Sequence, residues 1–170
     1  MHGASIEHLC TLELILTNND VLRSVRYALD LSELKLVEIF KLAGYDIMRE
    51  DVAHFLKKED EEGFVECDDE AMTHFLNGFV IYKRGKSEHT PEQGSHQNVR
   101  LTNNIILKKL RVAFQLKDDD MHALLAQADF PVSKPELSAL FRKPGHKNYR
   151  PCGDQLLRNF LKGLSIRFRG

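Results

Sequence analysis

The sequence has few cysteines and no long apolar run, and each absence excludes a class of protein. Three cysteines in 170 residues are too few for a disulfide framework. The longest apolar stretch, residues 79–82, is far shorter than the roughly twenty residues that span a bilayer. Glu7 and Glu13 stand where a secretory signal would carry basic residues. We therefore expect a cytoplasmic protein with reduced thiols and no membrane association.

The sequence also lacks the residue patterns that catalysis and metal binding require. It contains no Ser-His-Asp, Cys-His, paired-acid or phosphate-loop arrangement. Eight histidines are present, but no pair has the spacing of a zinc motif. We therefore expect no metal, no cofactor and no catalytic residue. This pattern disfavours an enzyme but does not exclude one.

An internal repeat is the strongest positive signal in the chain. A shift of 85 residues aligns residues 16–85 with residues 101–170 without a gap, and 18 of the 70 aligned positions are identical. Both units begin with the string Leu-Thr-Asn-Asn. An identity of this extent, in register over the whole unit, indicates a tandem duplication.

Four stripes of apolar residues with helical spacing occur in each unit. We therefore expect an all-α fold built by tandem duplication of a roughly 70-residue four-helix unit. Residues 16–85 form an acidic repeat 1 and residues 101–170 form a basic repeat 2. Residues 86–100 are polar, contain Pro91 and Gly94, and are expected to be a linker.

Residues retained in both copies are expected to have structural roles. The string at residues 17–19 offers N-cap oxygens to the first helix. Gly78 lies inside a predicted helix, where glycine costs about 1 kcal/mol relative to alanine, so we expect a close approach of another helix. Arg26 is expected to pair with a carboxylate, for which Asp69 is the candidate. The counterparts in the second copy are residues 102–104, Gly163, Arg111 and Asp154.

Charge divides sharply between the two copies. Residues 16–85 contain 9 Lys and Arg against 15 Asp and Glu, a net charge of −6. Residues 101–170 contain 13 against 6, a net charge of +7. The contrast is greatest before the fourth helix, where an acidic loop at residues 59–62 corresponds to part of a basic loop at residues 142–150. The candidate binding residues for nucleic acid or another anion are Arg142, Lys143, His146, Lys147 and Arg150.

Three interpretations of the basic loop are open. It is a solvated surface, or it meets the acidic loop within one chain or between chains, or it binds phosphate backbones with Tyr149 as an aromatic neighbour. We accordingly expect a non-enzymatic binding or regulatory module whose ligand is a protein or a nucleic acid. A homo-oligomer is a further option. The alternative is an enzyme of unknown class with a site between the repeats.

Cys67 and Cys152 occupy the same place in the two copies, just before the fourth helix. A thiol at a helix N-terminus can be a nucleophile or a redox sensor. The simpler interpretation is a small buried residue that packs at the entry of the helix. If either thiol is reactive, we expect it to be Cys152, because Lys147 and Arg150 lie close to it in sequence.

The chain contains four long, ordered strings of residues, at 16–23 (LTNNDVLR), 57–64 (KKEDEEGF), 75–78 (FLNG) and 146–155 (HKNYRPCGDQ). In these strings the chain resembles the bacterial YehS-like family, a domain of unknown function that occurs as two copies per chain. The resemblance covers residues 16–170. It implies a duplicated domain but no activity, cofactor or catalytic residue.

The chain departs from the pattern of that family at its N-terminus. Family members begin at a methionine directly before the Thr-Asn-Asn string, where this chain has Leu16. Residues 1–15 are therefore expected to be an extension that is not native or is poorly ordered.

Overall fold

The computed structural model of the protein describes residues 15–86 and 100–170. These ranges contain eight α-helices and no β-strand, which confirms the all-α prediction. Apart from Ile15, the expectation for residues 1–15 falls outside the described residues, as does that for most of the linker. The helices are α1 (Asn18–Leu29), α2 (Glu33–Leu42), α3 (Arg49–Leu56), α4 (Asp69–Arg84), α5 (Asn103–Phe114), α6 (Asp118–Gln127), α7 (Lys134–Leu140) and α8 (Asp154–Arg169).

The two copies fold as the same four-helix unit. Their helices have 12, 10, 8 and 16 residues in the first copy and 12, 10, 7 and 16 in the second. Thr17 and Thr102 cap the first helices, because each hydroxyl accepts a hydrogen bond from the amide three residues further on. Ser32 and Ser133 cap α2 and α7 in the same way. The duplication is thus confirmed in the number and length of the helices and in the cap of the first helix, whereas the positions equivalent to Ser32 and Ser133, Lys117 and Met48, make no side-chain cap.

The two repeated arginines stabilise the end of the first helix of each copy. Arg26 donates from Nε to the carbonyl of Leu31 at 3.2 Å, and Arg111 makes the equivalent bond at 3.0 Å. Neither arginine pairs with Asp69 or Asp154, whose carboxylates bind asparagines and backbone amides instead. The predicted pairing with Asp69 and Asp154 is therefore wrong, but Arg111 does bind a carboxylate, because its Nη2 donates to Oδ1 of Asp118 at 2.6 Å. The carbonyls of Leu31 and Leu116 lie just beyond the end of the helix and have no partner within it. The Nε of each arginine therefore binds one of these carbonyls.

The glycines inside the fourth helices allow another helix to approach closely. A Cβ atom added at Gly78 would lie 1.9 Å from the carbonyl oxygen of Ile39 in α2. One added at Gly163 would lie 2.4 Å from the carbonyl oxygen of Leu124 in α6. No side chain fits at either distance, so the predicted close approach of helices is confirmed in both copies.

The copies interlock, because the first helix of each copy packs mainly on the fourth helix of the other. Helix α1 runs parallel to α8. Near their starts, the amide of Leu16 donates to Oδ2 of Asp154 at 3.1 Å. Near their ends, Nη1 of Arg169 donates to the carbonyl of Tyr27 at 2.9 Å. We call this contact the α1–α8 seam.

The α4–α5 seam repeats this arrangement on the other side of the molecule. The amide of Leu101 donates to Oδ2 of Asp69 at 3.1 Å near the helix starts. Further along, the rings of Phe79 and Phe114 meet edge to face with their centroids 5.5 Å apart. Buried residues of both copies form one continuous core. Each copy therefore completes its core only against the other.

Candidate functional site

The basic loop joins α7 to α8 and lies on the surface. All five candidate binding residues are exposed, and Tyr149 among them is half-buried. The turn closes on itself through two backbone hydrogen bonds, from the amide of His146 to the carbonyl of Lys143 at 3.0 Å and from the amide of Tyr149 to the carbonyl of His146 at 2.9 Å. The structure thus brings together all the predicted binding residues on one ordered loop.

A single half-buried side-chain amide holds the base of this loop. The side chain of Asn104 donates to the carbonyls of Leu140 at 3.0 Å and Arg150 at 2.9 Å. Its Oδ1 accepts a hydrogen bond from the amide of Cys152 at 2.8 Å. The amide of Arg150 also donates to the carbonyl of Ala139 at 3.1 Å. Because both ends of the loop are fixed to the helices, its cations project from a rigid base.

The cations of the basic loop have no ion-pair partner among the described residues. The six ion pairs within residues 15–86 and 100–170 all involve other side chains. In particular, none joins the acidic loop to the basic loop. Of the two interpretations that neutralise the basic loop, the one within a single chain thus receives no support.

His146 has a role within the turn. Its Nδ1 accepts a hydrogen bond from the amide of Asn148 at 3.0 Å. This bond makes the imidazole part of the turn and fixes the orientation of its ring. The arginines and lysines of the loop supply its positive charge.

The acidic loop of the first copy stands on the same support. Asn19 donates to the carbonyls of Phe55 at 3.0 Å and Val65 at 2.9 Å, and its Oδ1 accepts from the amide of Cys67 at 3.0 Å. We call the three hydrogen bonds made by Asn19, and the matching three made by Asn104, the asparagine clamps. The duplicated Asn-Asn string is the sequence signal for these clamps, although the string by itself predicts only helix capping.

The preceding asparagine of each string links the helix starts. Asn18 donates to Oδ1 of Asp69 at 2.9 Å, and Asn103 donates to Oδ1 of Asp154 at 2.7 Å. Both aspartates stand in the first turn of a helix, where a carboxylate is favoured by the helix dipole. Since each aspartate also binds an amide of the other copy, these residues position the two copies against one another.

Both repeated cysteines are buried beside the clamps. Burial raises the pKa of the Cys67 thiol to about 12, and neighbouring acids led by Asp68 add to the effect. Burial likewise raises the pKa of the Cys152 thiol to about 12, with Asp154 adding to it. A thiol with so high a pKa is almost entirely protonated at neutral pH, which opposes the reactive role considered for Cys152.

Two clefts lie where the copies meet. One, of about 280 Å³, adjoins the helix starts and is lined in part by Glu66, Asp69 and Arg100. The carboxylate of Asp69 is already engaged by Asn18 and by the amide of Leu101. A second cleft, of about 410 Å³, opens along the α1–α8 seam. Both clefts are places where the alternative, an enzyme site between the repeats, could lie.

Within residues 15–86 and 100–170, no three His, Cys, Asp or Glu side chains come together as a metal site would require. Over the same ranges, no helix combines the length and the apolar character needed to cross a bilayer.

Comparisons with known proteins agree with the duplication. The family described as "Protein of unknown function (DUF1456)" matches twice, at residues 18–85 and 103–170. The chain is 50% identical over 150 residues to the uncharacterized protein YehS of Escherichia coli (strain K12), across 88% of this chain and 95% of the relative. No solved structure matches the chain. Because both copies match and the identity to YehS is high, the chain belongs to the DUF1456 family. The predicted resemblance to the YehS-like family is thus confirmed.

Proposed function

We propose that this protein is a non-enzymatic binding module that uses the basic loop to hold the phosphate backbone of single-stranded nucleic acid. What supports the proposal above all is that four exposed cations share one ordered loop and have no ion-pair partner among the described residues. Arg142 and Lys143 follow the C-terminal end of α7, and Lys147 and Arg150 precede the start of α8. Such a cluster favours a polyanion.

The expected binding is weak and independent of base sequence. Phosphate contacts supply affinity without sequence information, and nonspecific complexes typically have Kd values of about 10⁻⁴ to 10⁻⁶ M. Each phosphate contact to a single strand contributes about 0.7 to the slope of log K against log salt, so four contacts predict a slope of about −3. Tyr149 offers the partly exposed aromatic ring on which a base can stack.

The proposal is tested by titrating a fluorescent single-stranded oligonucleotide at several salt concentrations. The test variant carries Arg142→Glu, Lys143→Glu, Lys147→Glu and Arg150→Glu. The matched control changes four exposed lysines elsewhere, at positions 41, 86, 134 and 162, to Glu, which gives the same net charge. We expect the test variant to lose measurable binding and the control to retain at least a third of the wild-type affinity.

Two outcomes would contradict this function. Equal loss in both variants would mean that net charge, and not the basic loop, drives association. Absence of binding by the wild-type protein at low salt would remove nucleic acid as the ligand. A protein partner would then become the better candidate, with an acidic surface as its expected chemistry.

A further inference from the structure

The geometry points to a second ligand site, for a free α-amino acid, in the cleft of about 280 Å³ at the start of the α4–α5 seam. One wall of the cleft includes Asn18 and Glu66 of the first copy. The other wall begins with Arg100 and Leu101, where the linker enters the second copy. The volume is near the lower end of the usual range for small-molecule sites, which suits a ligand of few atoms. The basic loop contributes none of the lining residues, so this site is distinct from the proposed nucleic-acid surface.

The cleft contains two exposed charges of opposite sign that do not pair with one another. The six ion pairs within residues 15–86 and 100–170 include neither Glu66 nor Arg100. Neither side chain makes a hydrogen bond within the same ranges. The carboxylate and the guanidinium are therefore too far apart to neutralise each other. Such a gap complements a zwitterion, because each charge of the ligand meets its opposite.

The other seam is an internal reference for this cleft. At the start of the α1–α8 seam, the shift of 85 residues places Pro151 at the position of Glu66 and Ile15 at the position of Arg100. The residues that join the helix starts are kept in both seams, since the equivalents of Asn18, Asp69 and Leu101 are Asn103, Asp154 and Leu16. The helix starts thus pack without either charge, so packing does not account for Glu66 and Arg100.

The other polar groups of the cleft are mostly engaged within the protein. The carboxylate of Asp69 accepts hydrogen bonds from Asn18 and from the amide of Leu101. Asn19 uses its side chain in its clamp. The side chain of Asn18 donates twice from Nδ2, but its Oδ1 accepts no hydrogen bond among the described residues. The groups open to a ligand are therefore one cation, one carboxylate and one amide oxygen.

These groups match the two charges of an α-amino acid. A guanidinium such as that of Arg100 binds a carboxylate through two parallel hydrogen bonds. An ammonium group has three donors, and Glu66 and Oδ1 of Asn18 are acceptors for them. The half-buried Leu16 and Leu101 line the same cleft and can contact a short apolar side chain. A simple anion or a simple amine would use only one of the two charges.

The test follows the amide chemical shifts of the ¹⁵N-labelled protein during titration with L-alanine at constant ionic strength. Acetate and methylammonium, which each carry one of the two charges, are the comparison titrants. The test variant combines Glu66→Gln with Arg100→Gln, which removes both charges and keeps the side chains long. The matched control combines Glu62→Gln with Arg84→Gln, because these two side chains are exposed and lie outside the cleft.

We expect saturable shifts of the amides of Asn18 and Leu101 in the wild type and in the control. The test variant should bind L-alanine at least tenfold more weakly. It should also unfold at the wild-type temperature, because the exposed side chains that it changes make no contact that holds the fold. Arg100→Ile alone, which copies the other seam, is a second variant that should weaken binding without a folding defect.

The basic-loop variant with four charge reversals should bind L-alanine like the wild type. Shifts that do not saturate, equal affinity for acetate or methylammonium, or undiminished binding by the test variant would each overturn the site. None of these results depends on whether the basic loop binds nucleic acid.

Discussion

The acidic loop and the basic loop have opposite charges on the same support. Asn19 and Asn104 each make three hydrogen bonds to equivalent backbone atoms, donating from Nδ2 to two carbonyls and accepting at Oδ1 from the cysteine amide. The exposed residues between the clamped ends are acidic in one copy and basic in the other. Inward contacts thus kept the two loops alike while their outward side chains diverged.

A second difference is that the first copy is the more tightly packed. Asn19 is 1% exposed, whereas Asn104 is half-buried. Cys67 is 1% exposed and Cys152 is 6% exposed. Equivalent substitutions should therefore lower the free energy of unfolding more in the first copy than in the second. Pairs of matched variants test this directly.

The largest effect is expected at the helix-contact glycines. Gly78→Ala places a Cβ atom 1.9 Å from a backbone oxygen, and Gly163→Ala places one at 2.4 Å, so helices must move apart in both variants. Overpacking typically costs about 1 to 3 kcal/mol and occasionally more, and we expect about 3 kcal/mol or more for Gly78 and about 2 for Gly163. Urea unfolding measures both.

Gly153→Ser is the control for these glycines, because an added Cβ atom has open space there and serine is a good N-cap for α8. It should be neutral or slightly stabilising. A larger loss for Gly163→Ala than for Gly78→Ala would contradict the tighter packing of the first copy.

The asparagine clamps should give the next largest effect. Asn19→Ala leaves two carbonyls and one amide without partners in a buried place, which predicts a loss of about 2 to 4 kcal/mol. Asn104→Ala should lose about 1 to 2 kcal/mol, because water can reach the freed groups more easily. The exposed Asn148→Ala is the control, with a change within about 0.5 kcal/mol. Equal losses for the two clamps would refute the proposed difference in burial.

The smallest expected effect is the contrast between the two thiols. Since burial raises the pKa of both to about 12, a thiol reagent at neutral pH should label each far more slowly than an unfolded control. Cys152 should still react somewhat faster than Cys67, because it is slightly more exposed. Mass spectrometry of timed samples measures the two rates. Rapid labelling of Cys152 in the folded protein would restore the reactive role considered from the sequence.

Much of the local structure could be predicted because its causes lie within short stretches of chain. The four apolar stripes, the serine and threonine caps and the internal glycines each act over a few residues or one helix contact. The role of Arg26 was mispredicted for the opposite reason. Its partner is a carbonyl freed by the left-handed turn at Asp30, and that turn becomes apparent only in the folded chain.

The sequence by itself determined the duplication, the helices and the opposite charges of the two loops, because periodicity, identity and composition are properties of the chain alone. Only the tertiary structure decided which copy completes which core. Pairing α1 with α8 and α4 with α5 depends on contacts between residues more than a hundred positions apart in one seam and on opposite sides of the linker in the other. The same pairing created the cleft at Glu66 and Arg100, since neither copy alone encloses that space.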